Sequence, residues 1–130
     1  MPKIEFFRHN IEDHDIKRVG EVLRSIFLTT GEKVKEFEEK FSAYLGSRYT
    51  VGVTSCTAAL HLSLLAAGIG PGDNVITTPM SFCATANSII HTGARPIFVD
   101  VEEETGNINV ELVERAITEK TKAIIPVHLY

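Results

Sequence analysis

Apolar side chains recur at helical intervals in the opening part of the chain and then give way to short apolar clusters. Residues 12–27, "EDHDIKRVGEVLRSIF", place Ile16, Val19, Leu23 and Ile26 on one stripe with charges opposite, which predicts an amphipathic helix. "LTTG" at 28–31 interrupts that pattern. "EKVKEFEEKFSAYL" restores it with Val34, Phe37, Phe41 and Leu45, and Gly46 supplies a stop. Residues 1–46 are therefore expected to form an N-terminal helical arm.

From Tyr49 the rhythm changes. "YTVGV" (49–53) predicts a strand, and a buried helix follows over about 57–67, closed by Gly68. "NVITT" (74–78) predicts a strand, 82–93 a helix ending at Gly93, and "RPIFVD" (95–100) another strand. "INVELVERAI" (108–117) predicts a helix with Asn109 placed to cap it, and "AIIPV" (123–127) a last strand. Apolar strands alternating with helices of about ten residues specify βαβ units. The expected fold class is α/β: a mostly parallel sheet with helices on both faces, occupying residues 47–130. A buried-type strand so near Tyr130 calls for a further crossover to cover it, so the sequence is expected to be the front part of a longer protein.

Composition narrows the classes of partner. The 130 residues are 44% hydrophobic and 23% charged, values of a folded globular chain. A net charge of −4 offers no general attraction to nucleic acid or anionic lipid, so neither is expected as a partner. No stretch approaches the roughly 20 apolar residues of a membrane span. "MPKIEFFRHN" has no secretory character, and a cytoplasmic location with Cys56 and Cys83 reduced is expected. His9, His14, His61 and His91 are scattered in sequence, and no metal site is expected.

In an open parallel sheet, ligands gather beyond the carboxyl ends of the strands. There the loop Thr54-Ser55-Cys56-Thr57 leads into a helix whose first turn is all small side chains. Two readings stand open: Ser55 or Thr57 caps the helix, or the backbone N–H groups and the Thr57 hydroxyl receive a phosphate. Neither a GxxxxGK nor a GxGxxG pattern is present. Phe82 stands at a helix start, either stacking on a planar ring or serving as a hydrophobic staple. Asp100 and His128 end strands at the same rim, Asp100 as a substrate acid or a turn former and His128 as a structural hydrogen-bonder rather than a catalyst.

"FLTTGEKVKEFEEKFSAYLG", "VTSCTAALHLSLLAAGIGPGDNVITTPMSFCATANSIIHTGARPIFVDV" and "AIIPVHLY" resemble the opening of the DegT/StrS-type sugar-nucleotide aminotransferases, which are fold-type I pyridoxal-phosphate enzymes. The resemblance runs from about residue 6 to residue 130 in the family's order. It implies that residues 47–130 are the first part of the cofactor-binding large domain. It further implies that Ser55, Cys56, Thr57 and Ala58, with Ala59, hold the phosphate of pyridoxal 5′-phosphate and that Phe82 stacks on its ring. The backbone donors and the Phe82 ring are then expected to face one cavity. Cys56 replaces the family's commoner glycine or alanine. Thr29, Thr30 and Gly31 match a segment near the substrate mouth.

The activity implied is amino transfer from an amino acid, glutamate being the expected donor, to a nucleotide-linked keto sugar for cell-surface polysaccharide or other amino-sugar synthesis, in a homodimer. The family's Schiff-base lysine, and the acid that pairs with the ring nitrogen, match positions beyond Tyr130. Lys3, Lys17, Lys33, Lys35, Lys40, Lys120 and Lys122 fall in the arm, on charged helix faces or in "TEKTK", where no desolvated pocket would activate them. No catalytic residue is therefore expected within these 130 residues. A sugar 3-dehydratase on the same fold, and a non-catalytic regulatory relative, are the alternatives.

Overall fold

The computed structural model describes residue 5, residues 7–29 and residues 31–128. The chain divides into two compact units, Met1–Gly52 and Val53–Tyr130.

In the first unit, α1 (Asp13–Leu23) begins where the Glu12 N–H donates to the Asp15 carboxylate at 3.0 Å, and acids in the first turn complement the helix dipole. It is shorter than expected. The chain turns at Ser25, whose hydroxyl donates to the Phe27 carbonyl, and Ile26 is 91% exposed. α2 (Glu32–Leu45) ends at Gly46, whose φ of +65° is the left-handed conformation that favours glycine. Neither helix buries a residue, and both apolar stripes remain open to solvent. The Phe37 and Phe41 rings stack with centres 5.6 Å apart on that open stripe.

The strand expected at 49–53 does not form. The segment joins none of the three strands of the sheet, Tyr49 and Val51 are exposed, and the Gly52 N–H donates to the Glu38 carboxylate at 2.7 Å. Its alternating pattern is that of a strand, but a strand needs a ladder partner to satisfy its backbone.

The second unit runs α3 (Cys56–Ala66), β1 (Asn74–Thr77), α4 (Ala84–His91), β2 (Arg95–Phe98), α5 (Val110–Ala116) and β3 (Thr121–Ile124). The strands form a parallel sheet in the order β2-β1-β3, with Ile76 in register with Ile97 on one side and Ile124 on the other. Alternation along β1 divides the core. Val75 packs with Leu64 of α3, Ile69, Ile89 of α4 and Ala94, while Ile76 packs with Val99 and with Val113 of α5. Helices thus cover both faces, as the βαβ pattern requires. Asn109 caps α5 by accepting the Leu112 N–H at 3.1 Å. At the α4–β2 turn Gly93 has φ +84°, and a Cβ there would meet the Pro71 ring at 2.8 Å, so both conformation and space demand glycine.

β3 lies at Thr121–Ile124 rather than 123–127. Pro126 has no N–H to continue a ladder, and the last sheet-like bond is the Ile125 N–H to the Ile76 carbonyl at 2.8 Å. Among the described residues, no helix is long and apolar enough to cross a membrane.

Candidate functional site

Each helix of the second unit returns the chain across the sheet, so α3 feeds its C-terminus toward the start of β1 and α4 leaves from the end of β1. Both helices share the core with β1 through Leu64 and Ile89, and both point their N-termini to the C-terminal rim of the strands.

Ser55, Cys56, Thr57 and Ala58 make the first of these N-termini. Ser55 is extended at φ −163°, ψ 160°, and its hydroxyl oxygen accepts the Ala58 N–H at 3.1 Å, so Ser55 is the helix cap. Thr57 is not. Its half-buried side chain makes no hydrogen bond, and the N–H groups of Cys56 and Thr57 likewise have no protein partner. Two backbone donors and two hydroxyl hydrogens, those of Thr57 and Ser55, therefore stand uncommitted at the positive end of an eleven-residue helix. Such a set suits an anion with several acceptor oxygens. The Cys56 side chain is an exposed free thiol.

Phe82 stands just before α4 and is 76% exposed, so its ring is not a staple folded against the helix. A hydroxyl network fixes its turn. The buried Thr78 accepts the Met80 N–H at 3.2 Å, Ser81 and Thr85 hydroxyls meet at 2.6 Å, and the Ser81 hydroxyl reaches the Phe82 carbonyl at 3.2 Å. The buried Thr77 hydroxyl donates to the Ile125 carbonyl at 2.9 Å and ties β1 to the chain after β3.

Phe82 lines a cavity of about 250 Å³ with Thr78, Pro79, Ser81, Cys83, Ala86 and Phe98. Residues 55–58 are not among its walls. Phe98, the last residue of β2 and half exposed, was not singled out from the sequence. Its position at the end of a strand on the ligand rim was the available signal.

Asp100 forms a turn: its carboxylate accepts the Val101 N–H at 2.8 Å and its carbonyl accepts the Asn109 N–H at 3.0 Å. His128 is exposed. Thr29 and Gly31 belong to the first unit, where Thr29 is exposed and Gly31 precedes α2; Thr30 lies outside the described residues. A Cβ on Gly31 would meet the Phe27 carbonyl oxygen at 2.9 Å, so close packing accounts for glycine there. Lys17, Lys33, Lys35, Lys40, Lys120 and Lys122 are exposed, and Lys3 lies outside the described residues. Hydrogen bonds from Lys40 and Lys33 lower the Glu36 carboxyl to about 2. Among the described residues no group of three or more His, Cys, Asp or Glu side chains is placed to hold a metal ion. His61 and His91, scattered in sequence, nevertheless meet across α3 and α4 with ring centres 5.9 Å apart.

A parallel sheet between helix layers, with two helix N-termini and an exposed aromatic at the strands' C-terminal rim, defines an α/β protein. Residues 9–130 match the DegT/DnrJ/EryC1/StrS aminotransferase family, and the chain belongs to it. It is 52% identical over 118 residues to the spore coat polysaccharide biosynthesis protein SpsC of Bacillus subtilis (strain 168), covering 91% of this chain and 30% of SpsC. It is 48% identical over 121 residues to the UDP-4-amino-4-deoxy-L-arabinose–oxoglutarate aminotransferase of Shewanella sediminis (strain HAW-EB3), covering 93% of this chain and 31% of that protein. The PLP-form structure of Spr1654 from Streptococcus pneumoniae superposes with a TM-score of 0.90 at 44% identity, over 97% of this chain and 32% of Spr1654. The chain spans about a third of the length of the curated relatives it matches.

Proposed function

We propose that this chain supplies the phosphate-anchoring and ring-stacking part of a pyridoxal-phosphate-dependent aminotransferase acting on a nucleotide-linked keto sugar. One observation carries the reading: the Cys56 N–H, the Thr57 N–H and the Thr57 hydroxyl have no protein partner at a helix N-terminus whose capping is already done by Ser55. Capping alone needs no such surplus. The residues present fit the cofactor's phosphate, which takes several donors and gains from the helix dipole. Ser55 holds the turn and keeps its own O–H free, and Ala58 leaves the approach clear of bulk. Phe82 offers an exposed ring for stacking, held by the Ser81–Thr85 hydroxyl pair.

When bound, pyridoxal phosphate supplies the electron sink that lets an amino group pass between an amino acid and a ketone. This chain's own part is to bind, orient and shield; its described lysines are exposed, and we assign it no catalytic residue. The expected donor is glutamate, and Thr29, Thr30 and Gly31 are assigned to the substrate mouth. The matched relatives include a polysaccharide biosynthesis protein and an oxoglutarate aminotransferase, which supports a role in amino-sugar supply. The open apolar stripes of α1 and α2 suit a homodimer, and a cytoplasmic location agrees with the composition.

The test is amino transfer by the full-length protein given pyridoxal phosphate, L-glutamate and a nucleotide-linked keto sugar. Stoichiometric 2-oxoglutarate and amino sugar support the reading. Loss of water from the sugar without amine incorporation would instead assign the dehydratase activity.

A further inference from the structure

His61 lies in the middle of α3 and His91 is the last residue of α4. Their ring centres are 5.9 Å apart with planes inclined at 56°. His91 is exposed and His61 half-buried, so solvent reaches the pair. Neither imidazole makes a hydrogen bond or ion pair. Two other histidines are engaged: His14 meets Glu12 and Asp15 at 3.5 and 3.0 Å, and the His9 Nδ1 accepts the Ile11 N–H at 3.4 Å.

The helices that carry the pair are fixed to each other. Leu64 of α3 and Ile89 of α4 are 5% and 0% exposed in one core cluster, so the two imidazoles are held side by side by packing that neither ring provides. With metal–nitrogen bonds of about 2.0–2.1 Å, an ion sits about 3.2 Å from each ring centre, and two imidazoles on one tetrahedral ion have centres about 5.2 Å apart. The observed spacing exceeds that by under an ångström, which side-chain rotation spans. His91 also ends its helix, where the dipole favours positive charge.

We propose that His61 and His91 form a two-imidazole site for a divalent cation of borderline softness, of the zinc or nickel class, that staples α3 to α4. Neutral imidazole nitrogens are suited to these ions, and water fills the remaining coordination positions. The site is independent of the cofactor reading.

The probe is Ni²⁺ added alone to the full chain, read by proton NMR of the histidine rings, by calorimetric titration and by thermal unfolding. The first equivalent is expected to broaden the ring signals of His61 and His91 together, ahead of those of His9, His14 and His128. Free Ni²⁺ tenfold above its dissociation constant should raise the unfolding midpoint by about 5 °C. His61→Gln or His91→Asn alone should weaken Ni²⁺ binding at least tenfold and abolish most of that rise. Unchanged affinity in either variant overturns the proposal. So does broadening that begins at another histidine of the unaltered chain, a result that does not depend on how either variant folds.

Discussion

Replacing Thr57 with valine keeps the branched shape of the side chain and removes one hydroxyl. That hydroxyl makes no hydrogen bond in the protein, whereas the neighbouring Ser55 oxygen holds the Ala58 N–H at 3.1 Å. Folding stability should therefore change by less than about 0.5 kcal/mol. Affinity for pyridoxal 5′-phosphate should fall, because a hydrogen bond to a charged group contributes about 1.5–3 kcal/mol, or about 10- to 150-fold in Kd. Ser55→Ala is the counterpart. It removes the cap and should cost about 0.5–2 kcal/mol of stability, with the unfolding midpoint lowered by about 4 °C per kcal/mol. The assay is fluorescence titration with pyridoxal phosphate beside pyridoxal, which lacks the phosphate, together with thermal unfolding of each variant. Thr57→Val should discriminate against the phosphorylated ligand alone. A variant that loses stability but binds both ligands as before would reduce Thr57 to a structural residue and refute the reasoning.

Phe82→Ala should weaken binding of pyridoxal phosphate and pyridoxal alike while leaving thermal stability nearly unchanged, since the ring is 76% exposed. Ile76→Ala, at a fully buried position in the central strand, should cost about 2–5 kcal/mol by chemical denaturation, and Val19→Ala on exposed α1 should cost under about 0.5 kcal/mol. The Glu36 carboxyl should titrate near 2 by carbon-detected NMR, and Lys40→Ala should move it up toward the ordinary 4.5. Its native pKa is depressed, so its stabilising contribution is fully present above 4.5 and is lost as pH falls through about 2. The pair is exposed, so added salt should shrink that contribution. Borohydride reduction of the chain with pyridoxal phosphate should label no single lysine stoichiometrically, given the exposure of every described one.

Periodicity was most informative where the chain carries its own partners. α2 and the helices of the second unit follow stripes, caps and glycine stops that act within a few residues, and Asn109 and Gly93 perform their expected local tasks. Residues 49–53 show the limit: alternation makes a segment competent to be a strand, but pairing comes from residues distant in sequence. The same holds for surfaces. The stripe Ile16, Val19, Leu23 marks a face to be covered, yet in this structure it is open, because a stripe names no partner. At the rim, small residues at 55–58 and an aromatic at 82 were visible as composition. Sequence could not separate Ser55 as cap from Thr57 as free donor, a distinction made by hydrogen-bond geometry. Phe98 and the His61–His91 pair depend on which elements lie side by side, and only the packed sheet and helices reveal them.

The central claim is that a phosphate-bearing ring binds at the N-terminus of α3 with Phe82 against the ring. Amide and aromatic NMR shifts during titration with pyridoxal phosphate, repeated with pyridoxal, test it most directly. The account predicts that the Cys56 and Thr57 amides move with pyridoxal phosphate and stay in place with pyridoxal, while the Phe82 ring responds to both. A cleft at the opposite end of the strands is lined by Arg95 and Lys120 together with Asp73 and Glu119. Shifts centred on that cleft, with Cys56 and Thr57 unmoved, would contradict the account.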